Sequence, residues 1–396
     1  MNIAEIIGRS NTLFEDDVGA HRDRISDAIR GARVLVLGGA GSIGKEVTGE
    51  IFRRNPAALH VMDISENNLV ELVRNLRSTL GYTSGETRFL PLDMGSREAE
   101  AFFNSQPAYD YVLNLAAMKH VRSEKDEFSL MRMIKVNILD TGDTLRLARA
   151  GRARKYFAVS TDKAKNPANL MGATKRIMED VLFVDEDATR VSTARFANVA
   201  FSDGSLLHGF RQRLMLRQPI AAPRDVRRYF MTGQEAGLLC LSALTLGGSR
   251  EIFFPKLDSG SQLTTFSDIA RRFLASNGYE AIEIASEDEA RGRMEELSRQ
   301  KRWPCYFSLS DTAGEKPFEE FYSETDHTDM SRFDDIGVVM RSANGVDRAR
   351  LDRFLRGVNA LRSTGSWTKS DLVTAIQDAC PDLSHLDSDR FLDEKM

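Results

Sequence analysis

A short apolar run followed directly by a glycine pattern constrains the fold of this chain most strongly. The run Arg33-Val34-Leu35-Val36-Leu37 is typical of a strand that is buried on both faces. Gly38, Gly41 and Gly44 follow it and open a predicted helix. Gly38 allows a tight turn, Gly41 lets backbone amides approach a pyrophosphate, and Gly44 lets the helix pack closely. The pattern therefore predicts a dinucleotide site at the start of this helix.

Strand and helix patterns alternate through the first half of the chain. Further apolar runs predict strands at 59–62, 87–91, 111–115 and 155–159. Helical patterns lie between them at about 42–55, 66–80, 96–104 and 130–150. Such alternation indicates a parallel sheet with helices on both faces. The predicted fold class is α/β, a Rossmann-type doubly wound parallel sheet with a smaller C-terminal substrate lobe and a helical C-terminal extension.

The regular alternation of strands and helices ends near residue 200, which suggests several structural units. We expect an N-terminal helical extension, an NAD-binding Rossmann domain, a substrate-binding lobe and a C-terminal helical extension, at 1–30, 31–200, 201–330 and 331–396. A segment at about 233–258 is expected to return to the Rossmann domain. The C-terminal extension should contain helices near 346–362 and 369–379.

The composition is that of an ordinary globular protein, with 42% hydrophobic and 28% charged residues. The net charge of −4 includes no basic block, so nucleic acid is not expected as a partner. Cys240, Cys305 and Cys380 lie far apart and form no Cys-x-x-Cys pattern. This spacing fits a reducing compartment and argues against a structural metal site, so no metal is predicted.

The N-terminal residues lack the basic and long apolar regions of a signal peptide. No uninterrupted apolar run approaches the ~20 residues that a membrane-spanning helix needs. We therefore expect no membrane segment and a cytoplasmic location.

An acidic residue after the second predicted strand supports the dinucleotide site. Asp63 lies nineteen residues beyond Gly44, where a carboxylate can accept hydrogen bonds from the adenosine ribose hydroxyls. The same carboxylate would repel a 2′-phosphate, so NAD is favoured as cofactor, whereas Lys45 keeps NADP open. The alternative is a turn in another doubly wound fold that binds no phosphate.

Two later segments fit the same cofactor site. Asp93, after the third strand, could hydrogen-bond the adenine amino group. Ala116 and Ala117, after the fourth strand, would let the cofactor pass close to the backbone. Each of these residues alone is equally compatible with a structural role.

The segment Val159-Ser160-Thr161-Asp162-Lys163-Ala164, with Met171-Gly172-Ala173-Thr174-Lys175 after it, is the most distinctive part of the chain. It resembles the active-site strand and helix of a short-chain dehydrogenase/reductase in which Met171 replaces the usual tyrosine of Tyr-x-x-x-Lys. Further matching stretches lie before and after this segment, at 38–44, 114–121, 166–176, 195–199 and 228–232 in chain order. Over roughly residues 30 to 325 the chain resembles the CapD-like polysaccharide-biosynthesis family of extended short-chain dehydrogenase/reductases, whose typical members are UDP-N-acetylglucosamine 4,6-dehydratases.

The resemblance implies a catalytic role for five residues. Asp162 would be the acid that protonates the leaving C6 hydroxyl, and Lys163 the base that takes the C5 proton. Thr161 would hydrogen-bond the C4 oxygen, and Lys175 would hold the nicotinamide ribose. Met171 has no ionisable proton, so Lys163, or Lys175 acting through water, must replace the tyrosine as base for C4.

The resemblance also implies two sets of binding residues. The expected cofactor-binding residues are Gly38, Gly41, Ser42, Ile43, Gly44, Asp63, Asp93, Met94, Ala116, Ala117, Lys119, Asn137 and Lys175. The expected substrate-binding residues are Lys119, His120, Asn198, Arg228, Glu315 and Lys316. Arg228 could pair with a diphosphate through its planar guanidinium group.

Three functions remain open from the sequence. The first is an NAD-dependent 4,6-dehydratase of a UDP-linked N-acetylhexosamine, which would serve surface polysaccharide synthesis as a homo-oligomer of at least two chains. The second is a nucleotide-sugar epimerase at C3, C4 or C5, although Asp162 and Lys163 favour elimination. The third is a catalytically silent protein that binds NAD or a nucleotide sugar, which Met171 alone supports.

Overall fold

The computed structural model describes residues 2–257, 263–310, 319–342 and 345–383. The strands are β1 (Arg33–Leu37), β2 (Ala58–Met62), β3 (Glu86–Leu90), β4 (Tyr111–Asn114), β5 (Lys155–Val159), β6 (Arg190–Ala194), β7 (Asn198–Val199), β8 (Ile220–Pro223), β9 (Arg227–Met231), β10 (Glu251–Pro255), β11 (Leu263–Thr265), β12 (Glu280–Glu283), β13 (Arg302–Ser308), β14 (Thr328–Asp329) and β15 (Ile336–Met340). The helices are α1 (Ile3–Ile6), α2 (Glu15–Ala20), α3 (Arg22–Ile29), α4 (Ser42–Phe52), α5 (Glu66–Leu80), α6 (Arg97–Ser105), α7 (Glu127–Ile134), α8 (Asp140–Ala150), α9 (Leu170–Phe183), α10 (Leu206–Met215), α11 (Gly233–Leu246), α12 (Phe266–Ser276), α13 (Glu287–Gly292), α14 (Met294–Arg299), α15 (Arg348–Thr364) and α16 (Lys369–Ala379).

A large sheet forms the centre of the described structure, in the strand order β14-β15-β10-β6-β5-β4-β1-β2-β3. The strands from β3 to β10 in this order pair in parallel, and β15 and β14 pair antiparallel at one edge. The chain runs from β1 outward to β3 and then returns to β4 on the other side of β1. This reversal creates a crevice at the carboxyl ends of β1 and β4, where open α/β sheets bind ligands.

The pairing of the parallel strands explains why the predicted site residues meet. Val36 and Leu37 of β1 pair with Val61 and Met62 of β2, so the residues after both strands emerge together. The carboxyl ends of β4 and β5 lie at the same edge because Asn114 pairs with Leu37 and with Ala158. The glycine pattern, the predicted cofactor loops and the Thr-Asp-Lys segment therefore share one edge of the sheet.

A second group of elements forms a smaller lobe. Strands β7, β9 and β11 form one small sheet, and β8, β13 and β12 form another. Large side chains, including Phe210, Phe273 and Trp303, are buried in a hydrophobic core of its own. Helix α11 and strand β10, which the sequence places in a returning segment, lie in the main unit, where β10 pairs with β6.

The C-terminal part contributes both a strand and helices. The apolar run Ile336-Gly337-Val338-Val339 forms β15, which pairs with β10 and is buried against the sheet. The helices of the predicted 331–396 extension thus begin at Arg348. Helices α15 and α16 cover α7 and α9 through a core that contains Leu130, Ile134, Leu170, Ile177, Leu351, Phe354, Val358, Leu372 and Ile376.

The first thirty residues connect the two main cores. Ile6 and Ile7 are buried in the core of the lobe, whereas Phe14, Ile25 and Ile29 are buried in the core of the main sheet. Between them, Arg9 forms a buried ion pair with Glu235 of α11, with 2.5 Å between Nη2 and Oε2. The N-terminal segment therefore spans both structural units.

The predicted long helix at 130–150 is interrupted in the structure. A π-helical turn at Lys135–Leu139 separates α7 from α8. Such turns are often found at functional sites, and this one contains Asn137. Across the described ranges, no helix combines the length and apolarity needed to cross a membrane.

We expect Phe354→Ala to reduce the free energy of unfolding by about 3 kcal/mol, because the ring is buried between α15 and the α7/α9 pair. Urea denaturation followed by circular dichroism measures this change. Asn359→Ala on the same helix is the control, since Asn359 is exposed and its loss should change stability by less than about 0.5 kcal/mol. Equal effects of both substitutions would contradict the assignment of α15 as a packed helix.

Candidate active site

The glycine loop after β1 is tightly packed at Gly38, Gly39 and Gly44 and open at Gly41. Gly38 has φ of 71°, and a Cβ there would lie 2.5 Å from the backbone nitrogen of Ala116. A Cβ at Gly44 would overlap the backbone of Gly38 and Gly39. A Cβ at Gly41 would meet only the Gly38 carbonyl, at 3.7 Å. Gly38 and Gly44 are therefore required by the protein itself, whereas Gly41 leaves space for a ligand.

Asp63 holds the glycine loop beside the end of β2. Its Oδ2 accepts a hydrogen bond from the Ala40 N–H at 3.0 Å, and its Oδ1 accepts one from the Ser65 N–H at 2.9 Å. The side chain is buried but its two oxygens retain further lone pairs. The carboxylate thus lies between the glycine loop and the start of α5, and its role toward a ribose stays a prediction.

Helix α4 begins at the glycine loop and contacts the lobe. Gly41 precedes its first residue, and no side chain caps its first turn. Ser42 Oγ donates to Asp203 Oδ2 at 2.7 Å and accepts from the Asp203 N–H at 2.8 Å. Ile43 packs against the main core. Sequence reasoning missed Asp203, because its contact with Ser42 depends on how the lobe lies against the loop.

Two buried amide side chains shape the loop after β4. Asn114 Oδ1 accepts a hydrogen bond from the Ala116 N–H at 3.1 Å. Asn137 Oδ1 accepts from the Met118 N–H, and its Nδ2 donates to the Met118 carbonyl, both at 2.9 Å. Asn137 Nδ2 also donates to Thr174 Oγ1 in α9 at 3.0 Å. Asn137 thus links this loop to the helix that carries Met171 and Lys175.

The remaining predicted cofactor residues lie in the loops after β3 and β4. Asp93 follows β3, and its Oδ1 accepts a hydrogen bond from the Gly95 N–H at 3.0 Å. Met94 is buried in the main core, and Ala117 is partly buried against it. Asp93 and Met94 thus follow β3, whereas Ala117 follows β4 on the other side of β1.

The Thr-Asp-Lys segment forms a short turn directly after β5. Thr161 Oγ1 donates a hydrogen bond to Asp162 Oδ1 at 2.8 Å. Lys163 Nζ lies 3.5 Å from the same carboxylate oxygen. Asp162 is buried, whereas 38% of the Lys163 side chain is exposed. The predicted acid and base therefore contact each other, with the base on the open side.

Helix α9 begins beside this turn and carries Met171 in its first turn. Asn169 caps the helix by accepting a hydrogen bond from the Gly172 N–H at 2.8 Å. The side chain of Met171 is buried, and its backbone N–H donates to Glu124 Oε2 at 3.1 Å. Burial raises the pKa of the Glu124 carboxyl group. Sequence reasoning missed this carboxylate at the start of α9.

A buried ion pair supports the end of β5 and helix α9. Glu179 Oε1 accepts hydrogen bonds from Ser160 Oγ at 2.7 Å and from Arg195 Nε at 2.9 Å, and Arg195 Nη2 reaches Oε2 at 2.6 Å. Burial opposes ionisation of Glu179, but Arg195 outweighs it and lowers the pKa of Glu179 to about 2. Lys175 Nζ donates to the Val159 carbonyl at 3.1 Å. Burial lowers the pKa of Lys175 to about 8, although the Glu179 carboxylate opposes this shift.

Two predicted substrate residues meet at a carboxylate that the sequence analysis did not include. Asn198 Nδ2 donates hydrogen bonds to the Tyr229 carbonyl at 3.2 Å and to Glu319 Oε1. Arg228 Nε lies 3.8 Å from the same Glu319 oxygen. Glu319 Oε2 accepts a hydrogen bond from the Tyr229 N–H at 3.2 Å. Glu319 is thus a shared partner of Asn198 and Arg228.

The other predicted substrate residues lie where the loop after β4 meets the lobe. Lys119 Nζ donates a hydrogen bond to Ser202 Oγ at 3.3 Å. A Cβ at Gly204 would lie 2.7 Å from His120 Nε2, so the imidazole packs closely on this glycine. Burial lowers the pKa of His120, and Lys119 and Arg122 act in the same direction. Glu315 and Lys316 lie outside the described residues.

Three curated proteins show how far the similarity extends. An uncharacterized membrane protein of Methanocaldococcus jannaschii is 29% identical over 84% of this chain and 92% of its own length. The capsular polysaccharide biosynthesis protein CapD of Staphylococcus aureus is 30% identical over 72% of this chain, which spans 47% of CapD. The inverting UDP-N-acetylglucosamine 4,6-dehydratase of Campylobacter jejuni is 31% identical over 58% of this chain and 68% of its own length.

Solved structures confirm the predicted fold class. Pen from Bacillus thuringiensis superimposes with a TM-score of 0.64 at 22% identity, covering 80% of this chain and 89% of Pen. WbmF of Bordetella bronchiseptica, solved in complex with NAD+ and UDP, superimposes with a TM-score of 0.52 at 16% identity, covering 68% of this chain and 88% of WbmF. At these identities the similarity establishes the fold of the chain.

A family model described as polysaccharide biosynthesis protein matches residues 34–341. The match includes the main sheet, from β1 to β15, and the lobe. It thus contains the glycine loop, the Thr-Asp-Lys turn and α9. The chain therefore belongs to this polysaccharide biosynthesis family, and the resemblance inferred from its sequence motifs is confirmed.

Proposed function

We propose that this chain is an NAD-dependent nucleotide-sugar 4,6-dehydratase that acts on a UDP-linked N-acetylhexosamine during surface polysaccharide synthesis. The contact between Asp162 and Lys163 at the end of β5 carries this proposal. Elimination of water across C5–C6 needs an acid and a base on adjacent carbons, and this pair supplies both groups within 3.5 Å. Similarity to the Campylobacter dehydratase and to CapD supports the same function.

The loops at the carboxyl ends of β1 and β2 fit a dinucleotide. Gly41 leaves room for a pyrophosphate, and the uncapped first turn of α4 offers backbone N–H groups to its oxygens. The buried Asp63 carboxylate fits ribose hydroxyls and would repel a 2′-phosphate, which favours NAD over NADP. When bound, NAD would accept the hydride from C4 and later return it to C6.

The acid and base lie at different depths in the site. Lys163 is partly exposed and would take the C5 proton once C4 is a ketone. Asp162 is buried and would give its proton to the C6 hydroxyl, which leaves as water. The proton released from the C4 hydroxyl replaces the one that Asp162 gives up, and a solvent proton returns to C5. The net reaction is loss of one water, without net oxidation.

Oxidation at C4 requires a base that Met171 cannot supply. Lys163 and Lys175 are the two ammonium groups that the sequence offers for this step. The lowered pKa of Lys175, about 8, makes its neutral form accessible near neutral pH. Lys175 is buried and bonded to the Val159 carbonyl, so it would reach the substrate through a water molecule, whereas Lys163 would act directly. Thr161, whose Oγ1 accepts a hydrogen bond from the Lys163 N–H, would hold the C4 oxygen.

We expect Gly41→Ala to weaken NADH binding by about tenfold or more, since the added methyl group would enter the space left for the pyrophosphate. The free energy of unfolding should change by no more than about 1 kcal/mol, because the new Cβ meets only one protein atom within van der Waals distance. Fluorescence titration with NADH and urea denaturation measure the two quantities.

Gly49→Ala on the same helix is the matched control. Its Cβ would lie 3.9 Å from Leu76 Cδ2, away from the glycine loop, so NADH affinity should remain that of the wild type. Unchanged NADH affinity in Gly41→Ala would contradict the location of the pyrophosphate.

Incubation with UDP-N-acetylglucosamine in deuterated water tests the reaction. Loss of one water, with deuterium at C5 and none at C6, is the expected result in mass and proton NMR spectra. Asp162→Asn and Lys163→Met should each reduce the rate by about 10²–10⁴-fold, because each removes one proton-transferring group. Asp143→Asn, at an exposed aspartate of α8, should retain the full rate.

The possible products separate the competing functions. A product of unchanged mass with inverted stereochemistry would identify an epimerase. Recovery of unaltered substrate, combined with NADH binding, would indicate a catalytically silent protein or a different sugar.

A further inference from the structure

The hydroxyl group of Ser42 connects the start of α4 to the lobe. Ser42 is the first residue of α4, and its Oγ donates a hydrogen bond to Asp203 Oδ2 at 2.7 Å. The same oxygen accepts a hydrogen bond from the Asp203 N–H at 2.8 Å. A serine hydroxyl has one proton to donate, and an ionised carboxylate can only accept. The single proton of this hydroxyl is therefore directed at the Asp203 carboxylate.

The hydroxyl that Asp203 uses lies where the proposed cofactor would place its pyrophosphate. Helix α4 has 11 residues, and no side chain caps its first turn. The free N–H groups and the dipole at such a helix start favour an anion. Gly41, directly before Ser42, leaves space at this point. Asp203 thus takes up a hydrogen-bond donor that also suits a phosphate oxygen.

The Asp203 carboxylate can leave Ser42 without breaking a buried contact, because 60% of its side chain is exposed. The turn on either side of it is anchored. Phe201 is buried in the core of the lobe, and Ser205 caps α10 by accepting a hydrogen bond from the His208 N–H at 3.1 Å. Rotation of one side chain therefore releases the hydroxyl while the backbone of the turn stays in place.

Basic side chains around Asp203 give its carboxylate other electrostatic partners. His208 Nδ1 lies 3.9 Å from Oδ1, the oxygen that Ser42 does not use. Burial lowers the pKa of Lys119 and the pKa of Arg211, and the Asp203 charge opposes both shifts. Among the described residues, these groups face Asp203 from α10 and from the loop after β4. The carboxylate therefore keeps favourable neighbours when it releases the Ser42 hydroxyl.

We propose that Asp203 is a positioning residue that competes with the pyrophosphate of the dinucleotide for the Ser42 hydroxyl. This inference rests on the proposed cofactor. It makes Asp203, acting through Ser42, a determinant of how tightly the protein holds NAD. Loss of a carboxylate that only supports the site would weaken cofactor binding, whereas loss of a competitor strengthens it.

Fluorescence titration with NADH at about 0.15 M salt tests the competition, because this salt largely screens exposed charges more than about 8 Å apart. Asp203→Ala should bind NADH about tenfold more tightly than the wild type, since one competing hydrogen bond to a charged group is lost. Asp203→Asn keeps an acceptor oxygen without the charge, so its gain should be smaller, about threefold.

The same substitution in a Ser42→Ala background shows whether Asp203 acts through the hydroxyl. Without the hydroxyl there is no shared donor, so Ser42→Ala and the double variant Ser42→Ala/Asp203→Ala should bind NADH with Kd values that agree within about twofold. An equal gain in both backgrounds would overturn the proposal, because Asp203 would then act by charge repulsion alone. Unchanged or weaker NADH binding by Asp203→Ala would overturn it as well.

Asp288→Ala is the matched control. Asp288 lies on α13 of the same lobe, and its side chain is 92% exposed, so this variant should keep the wild-type Kd for NADH. The outcomes separate this inference from the proposed function. Absence of NADH binding in the wild type and in every variant would refute the cofactor assignment and this inference with it. Wild-type binding of NADH that Asp203→Ala does not strengthen would refute the competition alone.

Discussion

The buried ion pair between Glu179 and Arg195 fixes the geometry on which the candidate site depends. Glu179 lies on α9, four residues after Lys175, and it also accepts a hydrogen bond from Ser160 at the end of β5. Arg195 follows β6 and donates to the carbonyl of Phe321, two residues from Glu319. One pair of charges thus connects the Thr-Asp-Lys turn, α9 and the segment that carries Glu319. Loss of either partner would leave an uncompensated buried charge, which proteins tolerate poorly.

Because Met171 stands where a tyrosine is usual, the positions of the ionisable side chains around it are especially important. Without a tyrosine, the proposed reaction would rely on ammonium and carboxyl side chains, and burial lowers the pKa of one of them, Lys175, to about 8. Lys175 is held beside the Val159 carbonyl and the Glu179 carboxylate, and Asp162 lies beside Lys163. The positions of these groups are set by backbone and buried polar contacts. The same contacts that stabilise the fold therefore hold the groups that the proposed reaction would use.

The sequence predicted the features that depend on local order along the chain. The glycine loop, Asp63 and the Thr-Asp-Lys turn follow buried strands, and parallel strands bring their carboxyl ends together. Glu319 was missed because its partners Asn198 and Arg228 are distant in sequence and meet it only after the lobe has folded. Glu179 carried a detectable signal, since residues four apart on a helix share a face and Lys175 was already a candidate. Strand β15 was missed because its highly charged surroundings suggested helices.

The N-terminal segment connects the lobe to the main sheet. Ile6 and Ile7 lie in the core of the lobe, Phe14 lies in the core of the main sheet, and Arg9 is anchored to Glu235 between them. The lobe carries Asn198 and Arg228, while the main sheet carries Asp162 and Lys163. Any rotation that separates these two groups of residues must stretch or shift the first helices of the chain. The two groups of residues are thus linked through a segment that lies far in sequence from every predicted catalytic residue.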